Sequence, residues 1–268
     1  MGVRRRNRSL VTTGSAALGV AVMALGVTQA AHAQTGDAAA GADAGSCRRH
    51  VALSFDDGPD NSGAAASPAY GTNALLDGLA SRQVRATFFL IGRKVVNDPD
   101  AARRIRAAGH VIGNHTMNHR DMTLMTYEVA KQEVRQAQTV IKGATGATPT
   151  LGRSPFGRFN ATVDRAFASV RLARSNWAVE SYDWRPTATV AGVQETVLAR
   201  VNEVDGTLAS TGSAEGIIVL MHDNGVATAA AVPGIIDSLR AGGYCFGKMV
   251  SSRTFSEVNR GYAAVVPW

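Results

Sequence analysis

Short apolar runs and helix-period stripes alternate along the chain from residue 47 onward. The runs at 50–55, 86–91, 110–113, 148–153, 172–179, 216–221 and 244–249 have the length and composition of buried strands. Between them lie segments with apolar positions three and four apart. Residues 72–80 place Ala74, Leu75 and Leu79 on one helical face, and 127–141 do the same with Tyr127, Ala130, Val134, Ala137 and Ile141 before Gly143. Asp98-Pro99 supplies a cap and a first-turn proline to a helix whose inner face carries Ile105 and Ala108, and Gly109 closes it. Further helices are expected at 161–170, 190–204 and 229–239, and 61–70 is a loop of small residues. No internal repeat is evident. Strand-helix alternation of this kind predicts an α/β fold with a largely parallel sheet, open or closed into a barrel. In either form, functional residues gather at the carboxyl ends of the strands.

The first 33 residues follow a different pattern. Arg4, Arg5, Arg6 and Arg8 precede an Ala-, Val- and Leu-rich stretch from Leu10 that ends in Ala31-His32-Ala33, which reads as a signal peptide cut after Ala33. The arginines hint at a twin-arginine export route. Residues 34–46 have the Ala/Gly/Asp composition of a flexible linker, leaving 47–268 as one domain. The expected product is a secreted monomer, free or associated with the cell wall, and not an integral membrane protein once cut. Of the formal net charge of +7, four positive charges belong to the leader, which carries no acid. The remaining basicity is scattered and lacks the clustering that nucleic-acid binding requires. Cys47 and Cys245 are the only cysteines, and in an exported chain they pair most economically, tying the first strand to the last.

The strand ends carry the candidate chemistry. Ser54-Phe55-Asp56-Asp57-Gly58-Pro59 stops an apolar strand at two adjacent carboxylates and bends it with Gly-Pro. Consecutive strand residues face opposite ways, so both acids can serve one site only through an irregularity at that point. His115 and His119, four residues apart, follow the third strand. With Asp57 they make a two-histidine, one-carboxylate set with an open position, the pattern of a catalytic zinc-type site. Asp56 is left free to take a proton from an attacking water. Arg153, after the fourth strand, would pair with Asp56, and the Pro155-Phe156-Gly157 turn beside it could present a backbone N–H to an oxyanion. His222 ends the most apolar strand, and Asp183 could hold its imidazolium and make it a general acid. Each feature also has an ordinary reading: a solvated turn, an accidental histidine pair, a surface ion pair, a structural histidine. Their arrival at one end of successive strands favours a single pocket. His32, His50 and His110 lack such a context.

These motifs, in this order, resemble the polysaccharide deacetylases with the NodB homology domain, also called carbohydrate esterase family four, over roughly residues 47–249. The resemblance implies a distorted (β/α) barrel and a metal-dependent hydrolase removing acetyl groups from N-acetylglucosamine polymers or, in some members, acetylated xylan. It implies Asp57, His115 and His119 as ligands of a divalent metal, usually zinc or cobalt. It further implies Asp56 as base oriented by Arg153, a Phe156 N–H for the oxyanion, Phe156 and Trp184 lining the sugar groove, and His222 as acid tuned by Asp183. Glu180 and Ser154 depart from the family pattern and bear on substrate preference. An acetylxylan esterase, or a non-catalytic glycan-binding module on the same scaffold, are the alternatives.

Overall fold

The computed structural model describes residues 47–63 and 69–268. The expected leader and linker, and part of the 61–70 loop, lie outside them. The first strand, β1 (His50–Gly58), leads through α1 (Gly71–Ser81) to β2 (Thr87–Leu90). Two helices, α2 (Gly92–Asn97) and α3 (Pro99–Ala107), precede β3 (Val111–Asn114). Then come α4 (Tyr127–Thr145), β4 (Leu151–Gly152), α5 (Ala161–Ala168), β5 (Ala173–Arg174), β6 (Val179–Glu180) and α6 (Val190–Ser210). β7 (Ile217–His222), α7 (Thr228–Ala241), β8 (Cys245–Ser256) and β9 (Gly261–Pro267) complete the chain. Parallel strands in the order β5-β4-β3-β2-β1-β7-β6 form a distorted α/β barrel. It is incomplete, because β5 and β6 end the path without pairing to each other.

The two faces of each strand explain how the barrel positions a site. Val51, Leu53 and Phe55 of β1 join Phe88 and Leu90 of β2 and Ile217, Val219 and Met221 of β7 in the layer beneath the helices. The alternate residues Ala52, Phe89, Ile218 and Leu220 fill the interior with Leu151, Trp177, Met249 and Ala263. Each fully buried Phe, Leu or Ile contributes about 1.5–3 kcal/mol relative to exposure. The same period of two turns Ser54 and Asp56 inward. Asp56 is also the register partner of His222 across the β1–β7 ladder, so these two side chains emerge side by side at the top of the barrel.

Several differences from the sequence expectations stand out, three of them with a physical cause. The expected strand at 172–179 is two short strands. Between them the carbonyls of Ser175 and Asn176 accept hydrogen bonds from Arg153 (3.3 and 3.0 Å) and are not free to continue a ladder. The helix expected at 190–204 continues to Ser210, its apolar stripe interrupted by Asp205. This buried carboxylate holds Arg48 and Arg49, each at 2.5 Å. The short helix α2 was not anticipated. Finally, the strand expected at 244–249 runs to Ser256 and is not the last, because β9 returns antiparallel along it. The turn between them lies against the barrel base, where the Asn259 amide accepts from the Ile218 N–H (3.0 Å) and donates to the Gly216 carbonyl (2.9 Å).

No helix among the described residues is long and apolar enough to cross a membrane. Cys47 and Cys245 form a disulfide across 198 residues of sequence, beside the His50–Cys245 register pair where β8 joins β1. It therefore ties the first strand to the penultimate one. Closing so long a loop restricts the unfolded chain, and replacing both cysteines by serine is expected to lower the unfolding free energy by about 2–4 kcal/mol. Urea unfolding of oxidised protein and the double variant checks this; coincident midpoints would contradict it.

Candidate active site

The β1 strand ends in the bulge that the adjacent acids require. Register with β2 shifts between Asp56 and Gly58, and Asp57 takes a left-handed backbone, φ 73°. That turn brings Asp57 to the same side as Asp56, where strict alternation would have sent it outward. Asx residues tolerate this conformation better than most.

The loop after β3 brings in the histidines. Thr116 and His119 are also left-handed, φ 69° and 53°, so the pair meets around a tight loop and not along a helix. Asn114 braces this loop by accepting from the Thr116 N–H (2.8 Å) while donating to the Val134 carbonyl (3.0 Å). His115 Nδ1 lies 2.7 Å from the Arg153 carbonyl, which can only accept, so that nitrogen carries a proton and Nε2 is the nitrogen turned toward the site. Nε2 of His115 and of His119 stand 3.4 and 3.2 Å from Asp57 Oδ1. Ligands about 2.0–2.2 Å from a tetrahedral zinc ion lie about 3.3 Å apart, so this spacing fits such an ion. Among the described residues Asp57 Oδ1 is buried without a hydrogen-bond partner, and the three donor atoms lie within 4.8 Å of one another. Burial alone would raise the Asp57 carboxyl, but the facing His115 and His119 hold it well below the usual carboxylate range.

Arg153 is fully buried between the rings of Phe89 (4.1 Å) and Trp177 (5.3 Å). Its Nη1 donates to Asp56 Oδ1 (2.7 Å) and Ser54 Oγ (3.0 Å). Asp56 Oδ2, the other carboxylate oxygen, lies 3.6 Å from His115 Nε2. On the opposite wall His222 Nδ1–H donates to Asp183 Oδ1 (2.8 Å). Asp183 Oδ2 accepts from the His222 backbone N–H (2.7 Å) and from the Thr228 hydroxyl (2.6 Å). Burial would lower the His222 imidazole, but the Asp183 hydrogen bond and charge push it up to about 9.

A cleft of about 440 Å³ joins these groups. Its lining includes Asp56, Asp57, His115, His119, Phe156 and His222, with Trp177, Glu180 and Trp184 on the remaining wall. Phe156 and Trp184 stay about half exposed at the mouth, 60% and 53%. The Phe156 ring packs on His119 with centroids 4.9 Å apart, and Phe156 and Gly157 are both left-handed. Glu180 accepts from the Trp184 indole N–H at 3.0 Å, which fixes the ring at the rim. The structure thus brings together every residue singled out for the pocket. His110 lies apart, accepting the Ala86 N–H (3.0 Å) through Nδ1, with burial pushing its imidazole down to about 4.

Sequence reasoning missed four contributors. Ser54, Asn114 and Thr228 are small polar residues that orient Arg153, the histidine loop and Asp183. Polar residues inside or flanking apolar strands were the available signal. Asp223 is the fourth. It is fully buried, and burial pushes its carboxyl up to about 8 against the Thr72 hydrogen bond and Lys94.

A family profile described as polysaccharide deacetylase matches residues 43–173. The peptidoglycan-N-acetylglucosamine deacetylase PgdA of Listeria monocytogenes is 31% identical over 198 residues, 74% of this chain and 37% of that protein. This chain therefore spans little more than a third of PgdA. A chitooligosaccharide deacetylase of Rhizobium leguminosarum bv. trifolii is 34% identical over 182 residues, 68% of this chain and 74% of that protein. Among solved structures, a family 4 carbohydrate esterase from Streptomyces lividans in complex with acetate superposes with a TM-score of 0.65 at 31% identity. That match covers 83% of this chain and all of the other.

The His222–Asp183 pair yields a titration that can be checked. With the histidine raised from 6.5 to about 9, the pair's stabilisation is complete below about pH 6.5 and is lost as pH rises through about 9. In metal-free protein, NMR titration of His222 is expected to give a midpoint near 9, and Asp183→Asn to return it toward the ordinary histidine range. An unshifted His222 in the wild-type protein would contradict the pairing.

Proposed function

We propose that this chain, which belongs to the polysaccharide deacetylase family, is a secreted enzyme that hydrolyses acetyl groups from N-acetylglucosamine-containing glycans of the peptidoglycan or chitin type. The observation carrying this reading is the placement of a free carboxylate oxygen, Asp56 Oδ2, and a carboxylate-held imidazole, His222, at paired positions of neighbouring strands beside the Asp57–His115–His119 trio. A base and an acid flanking a metal-type triad can together carry out hydrolysis of an acetyl amide.

Asp57, His115 and His119 would hold a divalent ion, zinc by the donor set. Bound there, it supplies Lewis-acid polarisation of the acetyl carbonyl and acidifies water. Asp56, held by Arg153 through Oδ1, has Oδ2 available to take the proton of the attacking water. The Phe156 backbone N–H, on the left-handed turn at the mouth, would donate to the developing oxyanion. His222, with Nδ1 committed to Asp183, would protonate the departing sugar nitrogen from Nε2. Trp184 and Phe156 offer half-exposed rings for the sugar faces. The Glu180 carboxylate, by steering Trp184, is the rim feature through which this chain would differ from relatives in substrate preference.

Two measurements test the reading. Acetate release is assayed on chitooligosaccharide, peptidoglycan and acetylxylan, with native, chelated and zinc-restored protein. Release from the N-acetylated substrates that disappears on chelation and returns with zinc is the expected result. Release from acetylxylan alone would make the chain an O-acetyl esterase, and no release from any substrate would favour a glycan-binding module. Asp56→Asn is expected to lower kcat by about 10²–10⁴-fold while zinc still binds. Substantial turnover in that variant would remove Asp56 as the base.

A further inference from the structure

Asp223 follows His222 at the top of β7, is fully buried, and has no part in the chemistry proposed above. Its backbone N–H donates to the Asp56 carbonyl (3.2 Å), extending the β1–β7 ladder by one bond at the point where β1 begins to bulge. Its carboxyl lies directly against Gly58, where a Cβ would come within 2.0 Å of Asp223 Oδ2. The same oxygen accepts from the Thr72 hydroxyl in the first turn of α1. Thr72 in turn accepts from the Asp60 N–H (2.8 Å) through its hydroxyl and donates its own N–H to the Asp60 carbonyl (2.9 Å). The segment 56–60 is thus held at its start by the Asp223 backbone, at Gly58 by the Asp223 carboxyl and at its end by Thr72. Asp57, left-handed at the centre of the bulge, is the residue whose position this clamp determines. Oδ1 of Asp223 is buried without a hydrogen-bond partner among the described residues, a cost that a residue serving packing alone would not require.

We infer that Asp223 is a positioning residue, which with Thr72 clamps the Asp56–Asp60 bulge and so sets where Asp57 Oδ1 meets His115 and His119. The consequence for metal affinity rests on the functional reading above, whereas the clamp itself does not. Shape and hydrogen bonding at this position, not charge, carry the role.

The test uses the full chain with Asp223→Ala, Asp223→Asn and Thr72→Val. In metal-free protein, hydrogen exchange over residues 56–60 is compared with exchange over β2 and β3. Zinc affinity is then measured by competition titration, and kcat and KM at saturating zinc. Asp223→Ala is expected to speed exchange at 56–60 selectively and to weaken zinc binding by about 10–100-fold, the usual effect of losing an outer support of a metal site. It should also lower kcat more than it changes KM. Asp223→Asn, which keeps the shape and an oxygen for Thr72, is expected to restore selective protection and zinc affinity, with Thr72→Val intermediate. Should Asp223→Ala fail to fold, Asp223→Asn and Thr72→Val decide: wild-type exchange at 56–60 in Thr72→Val overturns the inference. So does a folded Asp223→Ala with wild-type exchange and zinc affinity, a loss of protection spread evenly over the barrel, or an Asp223→Asn as impaired as Asp223→Ala. A wild-type protein that binds no zinc and releases no acetate defeats the functional reading alone, because exchange in the metal-free protein still reads the clamp.

Discussion

The ion pair between Arg153 and Asp56 is the interaction on which the site depends. A wholly buried guanidinium is costly unless its donors are satisfied, and here they reach the Asp56 carboxylate, the Ser54 hydroxyl and the carbonyls of Ser175 and Asn176. Those acceptors come from β1 and from the gap between β5 and β6. The pair therefore fastens the two sides of an incomplete barrel across its interior. Through its own carbonyl Arg153 also fixes the His115 tautomer, so one residue governs the carboxylate and the imidazole that face each other in the cleft. Removing one partner of such a pair leaves a buried, uncompensated charge, a loss of about 3–5 kcal/mol.

Around that pair the strand period assigns the remaining roles. Asp56 and His222 project inward because they occupy register positions on adjacent strands, and no special geometry is needed for either. Asp57 is the exception. It reaches the site only because the ladder slips between Asp56 and Gly58, and the left-handed backbone at that residue is the local cost of the arrangement. Two neighbouring carboxylates thereby acquire different surroundings, one facing a guanidinium and the other two imidazoles. The division of roles proposed for them follows from their partners, since the side chains are identical.

Much of this was legible in the chain. The apolar run broken by Asp56-Asp57-Gly58-Pro59 announced both the strand and its irregularity, and the positions of His115, Arg153 and His222 after successive strands announced a common pocket. What escaped notice had a shared cause: polar side chains that serve structure disguise the pattern. Asp205 interrupts the stripe of α6 because it anchors Arg48 and Arg49, and the 175–176 carbonyls leave the ladder because they hold Arg153. The β8–β9 hairpin is only half legible because Ser251, Ser252, Arg253 and Thr254 lack an apolar rhythm. Asp223 is not distinguishable in the sequence from an acid of a solvated loop, and only its burial reveals otherwise.

The hairpin at the barrel base has a consequence for traffic through the site. Its turn is bonded to the start of β7, and the interior above it is filled by Met249, Ala263, Trp177 and Phe89. Among the described residues the cleft opens at the carboxyl ends of the strands, away from the hairpin. A ligand longer than the cleft would lie across its mouth, beside the half-exposed rings of Phe156 and Trp184. In the proposed deacetylation, water and acetate would share that mouth with the glycan.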